Sequence, residues 1–163
     1  MSEIDELSES VGEACRRAGL MVATAESCTG GGVAEALTRT AGSSAWFDRG
    51  FVAYANEAKV DLLGVRQETL GSHGAVSEAV AREMALGALH QSDADLAVAV
   101  TGVAGPGGGT ATKPVGLVWF AWASLGGSVA SRFEIFGGDR AAVREQAVRE
   151  ALKGLLDLAS REG

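Results

Sequence analysis

Leu20-Met21-Val22-Ala23-Thr24-Ala25 is a short apolar run of strand length, and Glu26-Ser27-Cys28-Thr29-Gly30-Gly31-Gly32 follows it at once. Residues from about 33 to 39 then read as helix, so the stretch is a strand, a tight turn and a helix in that order. Working outward, Ile4, Leu7, Val11, Ala14 and Ala18 recur at helical spacing before it. Ser2 and Asp5 form a capping box for that helix, and Gly19 ends it. After the turn, residues 51–54 read as a second strand and residues 56–63 as a short helix ended by Gly64. Ser77 opens a longer helix with Val80, Ala81, Met84, Ala85, Ala88 and Leu89 on one face. Residues 96–100 are all apolar, which predicts a strand buried on both faces. Residues 115–123 and 129–136 read as two strands joined through Leu125-Gly126-Gly127 as a hairpin. Asp139 caps a last helix whose Val143, Ala147, Ala151, Leu155 and Leu158 make the buried stripe. The expected fold is α/β: a single-domain, three-layer α/β/α sandwich over residues 1–163. Its sheet is largely parallel, of about five strands, with an antiparallel hairpin.

Composition narrows the functional classes. The net charge of −7 opposes non-specific nucleic-acid binding, which depends on Lys and Arg neutralising phosphates. Two cysteines, Cys15 and Cys28, make no disulfide framework and read as reduced thiols. The acidic start Met1-Ser2-Glu3-Ile4-Asp5-Glu6 is unlike a signal peptide, and no apolar run approaches the ~20 residues that span a bilayer. A cytoplasmic protein without a membrane or nucleic-acid partner is expected. Twenty-three glycines cluster at Gly30 to Gly32 and at Gly105 to Gly109, marking particular loops. Two histidines and two separated cysteines offer no zinc-type ligand spacing.

Three places can carry chemistry. The turn at Ser27 presents a side chain at the end of a strand beside backbone N–H groups and a helix start. That suits a nucleophile next to an oxyanion site and equally a phosphate; Ser27 or Thr29 simply capping the helix is the third reading. A serine needs a base, and His73 and His90 are the only histidines. His90 lies on a polar helix face, and His73 lies in a loop within Gly71-Ser72-His73-Gly74. A Ser-Lys pair is the other solution. Lys59, at the strand-helix junction Tyr54-Ala55-Asn56-Glu57-Ala58-Lys59, is either that base or an ordinary surface helix charge. Cys28 with His73 would make a cysteine-dependent hydrolase, for which no thiolate-stabilising surroundings are evident. The third place is the long loop Thr101-Gly102-Val103-Ala104-Gly105-Pro106-Gly107-Gly108-Gly109-Thr110-Ala111-Thr112-Lys113 after the buried strand. It fits neither a Walker A loop nor a dinucleotide fingerprint, and its length marks it as functional.

Together these stretches resemble the CinA C-terminal domain family, the nicotinamide mononucleotide amidohydrolases. The resemblance rests on Ala25-Glu26-Ser27-Cys28-Thr29-Gly30-Gly31, on Tyr54 to Lys59 with Leu62-Leu63-Gly64-Val65, and on Gly74-Ala75-Val76-Ser77. It continues through Thr101-Gly102-Val103-Ala104-Gly105-Pro106-Gly107-Gly108 into Lys113-Pro114-Val115-Gly116, in the family's order and over nearly the whole chain. The chain looks like the stand-alone form, without the larger N-terminal domain that some members carry. The resemblance implies hydrolysis of the carboxamide of nicotinamide mononucleotide, with Ser27 as nucleophile, Lys59 as base and Tyr54 close by. It also implies a homo-oligomer, no cofactor and a small nucleotide substrate. Substrate contacts are then expected from Thr29, Gly30 and Gly31 in the turn. In the loop they are expected from Thr101, Gly102, Gly105, Gly107, Gly108 and Thr110, with Arg140 at the last helix. A non-catalytic nucleotide-binding module on the same loops is the competing expectation. A DNA-associated factor is opposed by the negative charge and the lack of a basic stripe.

Overall fold

The computed structural model describes residues 1–162. The elements are α1 (Glu3–Ala18), β1 (Val22–Glu26), α2 (Gly32–Thr38), a 3-10 turn (Ser43–Ala45), β2 (Phe47–Val52), α3 (Asn56–Leu63) and α4 (Gln67–His73). They continue with α5 (Glu78–His90), β3 (Leu96–Gly102), β4 (Leu117–Ser124), β5 (Val129–Ile135) and α6 (Arg140–Glu162). The sheet order is β2-β1-β3-β4-β5. β1 pairs in parallel with β2 and β3, β4 runs antiparallel to β3, and β4–β5 is the expected hairpin. Four of the five strands therefore run the same way, and helices cover both faces.

Side-chain size divides the two faces. Leu96, Val98 and Val100 of β3 with Val118, Phe120 and Trp122 of β4 pack under α1, α2 and α6. Ala97, Ala99, Ala121 and Ala123 point the other way, beneath α5. Alternation along a strand sends successive residues to opposite faces, so one all-apolar strand builds two cores. The alanine face lets α5 lie close to the sheet, and α3 lies close to α5 in turn. A Cβ on Gly87 of α5 would stand only 1.8 Å from the Leu63 carbonyl oxygen at the end of α3.

The capping box at Ser2 and Asp5 forms as read, with Asp5 N–H donating to Ser2 Oγ at 3.1 Å. Asp139 accepts from the Ala142 N–H at 2.9 Å and starts α6. Three readings are corrected. β2 spans Phe47–Val52 rather than residues 51–54, because an edge strand pairs on one side only and carries polar Asp48 and Arg49. Residues 67–73 form α4, which Gly71 and Ser72 conceal from propensity, so His73 ends a helix rather than lying in a loop. β3 runs on through Thr101 and Gly102, which pair with Trp119 and Val118 of β4. No helix among the described residues is long and apolar enough to cross a membrane.

Candidate active site

The parallel strands β1 and β3 end side by side, and in such sheets ligands bind beyond the carboxyl ends of the strands. Ser27 is the first residue past β1. Its N–H still donates to the Val100 carbonyl at 2.9 Å, so its main chain is held by the sheet. The chain then reverses through Gly30 and Gly31, whose φ values of 59° and 102° lie in the left-handed region that glycine adopts without steric cost. Glu26, only 1% exposed, fastens this turn. Its carboxylate accepts from Thr29 Oγ1 (2.6 Å), Val33 N–H (2.8 Å) and Ala34 N–H (3.0 Å). A buried carboxylate needs such donors, and here the helix start supplies two of them. In consequence the α2 N-terminus is already occupied by a side-chain anion.

Lys59 approaches from the first turns of α3. It is 1% exposed and, with Leu63, makes the buried side of a helix that also carries Glu57 and Asp61. Its Nζ lies 3.1 Å from Ser27 Oγ and donates to the Tyr54 carbonyl at 3.0 Å. No carboxylate is ion-paired with it among the described residues. Burial pushes its pKa below the ordinary lysine value, against a smaller opposing effect from Cys28. The amine is thereby moved toward the neutral form that can accept a proton.

The pair opens into a cleft of about 310 Å³. Its walls are Ser27, Cys28, Tyr54, Asn56, Lys59, Ala75 and Val76 on one side, Thr101 to Gly105 with Gly107 and Gly108 on the other, and Arg140 at the rim. Arg140 joins two walls: Nη1 donates to the Gly105 carbonyl (2.7 Å) and Nη2 to the Tyr54 hydroxyl (2.9 Å). Thr101 Oγ1 donates to the Ala75 carbonyl at 2.9 Å and ties β3 to the segment before α5. A larger depression of about 610 Å³ lies between α1 and α6, but Glu6, Glu9 and Glu13 line it and no nucleophile–base pair does.

Of the residues singled out from sequence, Ser27, Tyr54, Lys59, Thr101, Gly102, Gly105, Gly107, Gly108 and Arg140 come together in this cleft. Thr29, Gly30, Gly31 and Thr110 do not line it. Thr29 turns inward to Glu26, and Gly30 donates its N–H to the Ser27 carbonyl at 3.0 Å. Thr110 closes an exposed turn by accepting from the Lys113 N–H at 3.0 Å. Tyr54 faces Lys59 with its carbonyl and Arg140 with its phenol. The Cys28–His73 pairing finds no support. Burial raises the Cys28 thiol to about 12, and His73 is absent from the lining, its carbonyl instead accepting from Lys113 Nζ. Among the described residues no group of three or more His, Cys, Asp or Glu is placed to hold a metal ion.

Sequence reasoning missed Glu26, Asn56, Ala75 and Val76. The signal for Glu26 was present: a lone acid closing an otherwise apolar strand. Asn56, Ala75 and Val76 are ordinary residues whose position depends on how α3 and the segment before α5 pack.

The CinA C-terminal domain family model matches residues 4–159. Nicotinamide-nucleotide amidohydrolase PncC of Escherichia coli (strain K12) is 58% identical over 154 residues, which cover 94% of this chain and 93% of that protein. The protein of the same name in Pseudomonas putida is 53% identical over 158 residues, covering 97% and 98%. The crystal structure of the competence/damage inducible protein CihA from Agrobacterium tumefaciens superposes with a TM-score of 0.95 at 52% identity, over 97% of this chain and 96% of that one. With its sheet order, its strand-end cleft and a match spanning nearly its whole length, this chain belongs to the CinA C-terminal domain family.

Proposed function

We propose that the protein hydrolyses the carboxamide of nicotinamide mononucleotide to nicotinic acid mononucleotide and ammonia, with Ser27 as nucleophile and Lys59 as general base. The observation that supports this most is a buried amine, without a carboxylate partner among the described residues, 3.1 Å from a hydroxyl in a strand-end cleft. The relatives named for this activity supply the substrate class.

Neutral Lys59 takes the Ser27 proton as Oγ attacks the amide carbon. The Tyr54 carbonyl holds the resulting ammonium in place. Of the turn after Ser27 only Cys28 lines the cleft, so its N–H is the donor assigned to the developing oxyanion, while that of Gly30 is engaged by the Ser27 carbonyl. One such donor is worth about 10²–10³ in rate. The C–N bond breaks, Lys59 returns the proton to the leaving nitrogen, and ammonia departs. Water then attacks the acyl-serine with Lys59 again as base. Because Glu26 fills the α2 N-terminus, the substrate phosphate belongs at the other rim, toward the Gly105 loop and Arg140. The same reading includes a homo-oligomer in the cytoplasm, which light scattering and fractionation test directly.

Ammonia release should be measured on nicotinamide, its riboside and its mononucleotide. The mononucleotide is expected to turn over fastest. Ser27→Ala should abolish release while retaining the fold by circular dichroism; turnover at the parent rate would remove Ser27 from the mechanism.

A further inference from the structure

The chain has net charge −7, and its cations are mostly matched to acids. Arg39, Arg49, Arg66, Arg132 and Arg149 each lie within 4.0 Å of a carboxylate. Two arginines in consecutive turns of α6 meet neutral acceptors instead. Arg140 donates to the Gly105 carbonyl and the Tyr54 hydroxyl. Arg144 donates through Nη2 to the Thr29 carbonyl at 3.3 Å. The same nitrogen stands 3.2 Å from the place a Cβ on Gly30 would take. Neither is ion-paired among the described residues; Arg140 stands at the rim of the cleft, and Arg144 stands outside its lining, against the turn that follows Ser27.

Their spacing is i, i+4, which sets side chains about 5–6 Å apart on one helix face. Arg140 reaches the Gly105 loop and Arg144 the turn that follows Ser27, so one helix face carries a charge to each of the two segments that meet at the cleft. Arg144's charge is felt inside the cleft, where it lowers the Cys28 thiol slightly against the larger upward push of burial. Arg144 is exposed, and its guanidinium has five donors, of which the Thr29 carbonyl takes one. A phosphate monoester carries about −1.5 to −2 charges near neutrality and matches a guanidinium fork.

We propose that Arg144 works with Arg140 as a two-arginine clamp on the substrate phosphate, and that Arg144 sets the preference for the phosphorylated substrate over its nucleoside. The proposal rests on the amidase reading for the identity of the ligand. Arg144 touches no reacting atom, so it is a specificity residue rather than a catalytic one.

Arg144→Gln is the informative variant, since Gln retains an N–H donor for the Thr29 carbonyl and removes the charge. The ratio of kcat/KM for nicotinamide mononucleotide to that for the riboside should fall about tenfold or more, chiefly through KM, as expected for a lost hydrogen bond to a charged group. An equal loss on both substrates would overturn the proposal, because Arg144 would then merely support the Ser27 turn; an unchanged ratio would overturn it too. A second arm needs no turnover. In a Ser27→Ala background, calorimetric binding of the mononucleotide relative to the riboside should weaken by the same factor on adding Arg144→Gln. If the parent released no ammonia from any pyridine amide, the amidase reading would fall, and the calorimetric arm would still decide the clamp.

Discussion

Gly87→Ala lies outside the cleft and nevertheless tests how the base is positioned. A Cβ at this position would stand 1.8 Å from the Leu63 carbonyl oxygen, 2.7 Å from its carbon and 3.0 Å from its Cα. Those are backbone atoms at the end of α3 and cannot swing aside as a flexible side chain would. Ordinary contact begins near 3.4 Å, so α3 must retreat by about 1.6 Å before repulsion is relieved. Overpacking of this kind costs about 1–3 kcal/mol, and the better helix propensity of alanine returns about 1 kcal/mol. The net loss should lower the melting temperature by a few degrees, at about 2–4 °C per kcal/mol for a chain of this size. The catalytic effect is the larger one. Lys59 rides on α3 and must keep its Nζ within reach of Ser27 Oγ, now 3.1 Å away. Misplacing a catalytic group by about 1 Å costs on the order of 10² in rate. Thermal unfolding and ammonia release on the same preparation read the two effects. Melting loss without loss of turnover would refute the idea that the α3–α5 seat sets the Lys59 position; unchanged melting would refute the close contact itself.

Other expectations follow from the buried charges. Glu26→Gln should destabilise the fold by about 1–3 kcal/mol by denaturant titration, since an amide cannot accept from all three donors that the carboxylate satisfies. Lys59→Met should abolish turnover and alter how stability depends on pH. In the parent, burial puts the folded-state pKa of Lys59 below its ordinary value of 10.5. Between the two values the unfolded chain holds more protons, so parent stability rises with pH there, by at most about 1.4 kcal/mol per unit. The methionine variant lacks that rise, and its stability relative to the parent should be highest below the folded value and decline toward pH 10.5. A pH-independent difference would argue that Lys59 is not desolvated. Cys28→Ala should retain turnover within a few-fold, because a thiol raised to about 12 is no nucleophile at neutral pH; loss as complete as in Ser27→Ala would reopen the thiol mechanism.

Local pattern made much of this molecule readable in advance. The box at Ser2 and Asp5, the helix closed by Gly64, the buried strand beginning at Leu96 and the stripe from Val143 to Leu158 depend on neighbours a few residues away, and each forms. The strand–turn–helix at Ser27 was legible for the same reason. β2 and α4 were harder. An edge strand need not alternate cleanly, and a seven-residue helix containing Gly71 owes its existence to packing on α5.

From the residues alone, Lys59 reads more readily as a solvated helix charge than as a base, and the glycine turn is as well a phosphate cradle as a nucleophile turn. Sequence determined the element types apart from α4, the two-faced apolar strands and the candidate hydroxyl and amine. Only the tertiary structure decided that residues 27 and 59 meet, that Glu26 claims the helix terminus, and that Thr110 lies outside the cleft while Arg140 guards its rim. The physical reason is that propensity and periodicity act over a few residues, whereas desolvation and charge compensation depend on atoms brought together from distant parts of the chain.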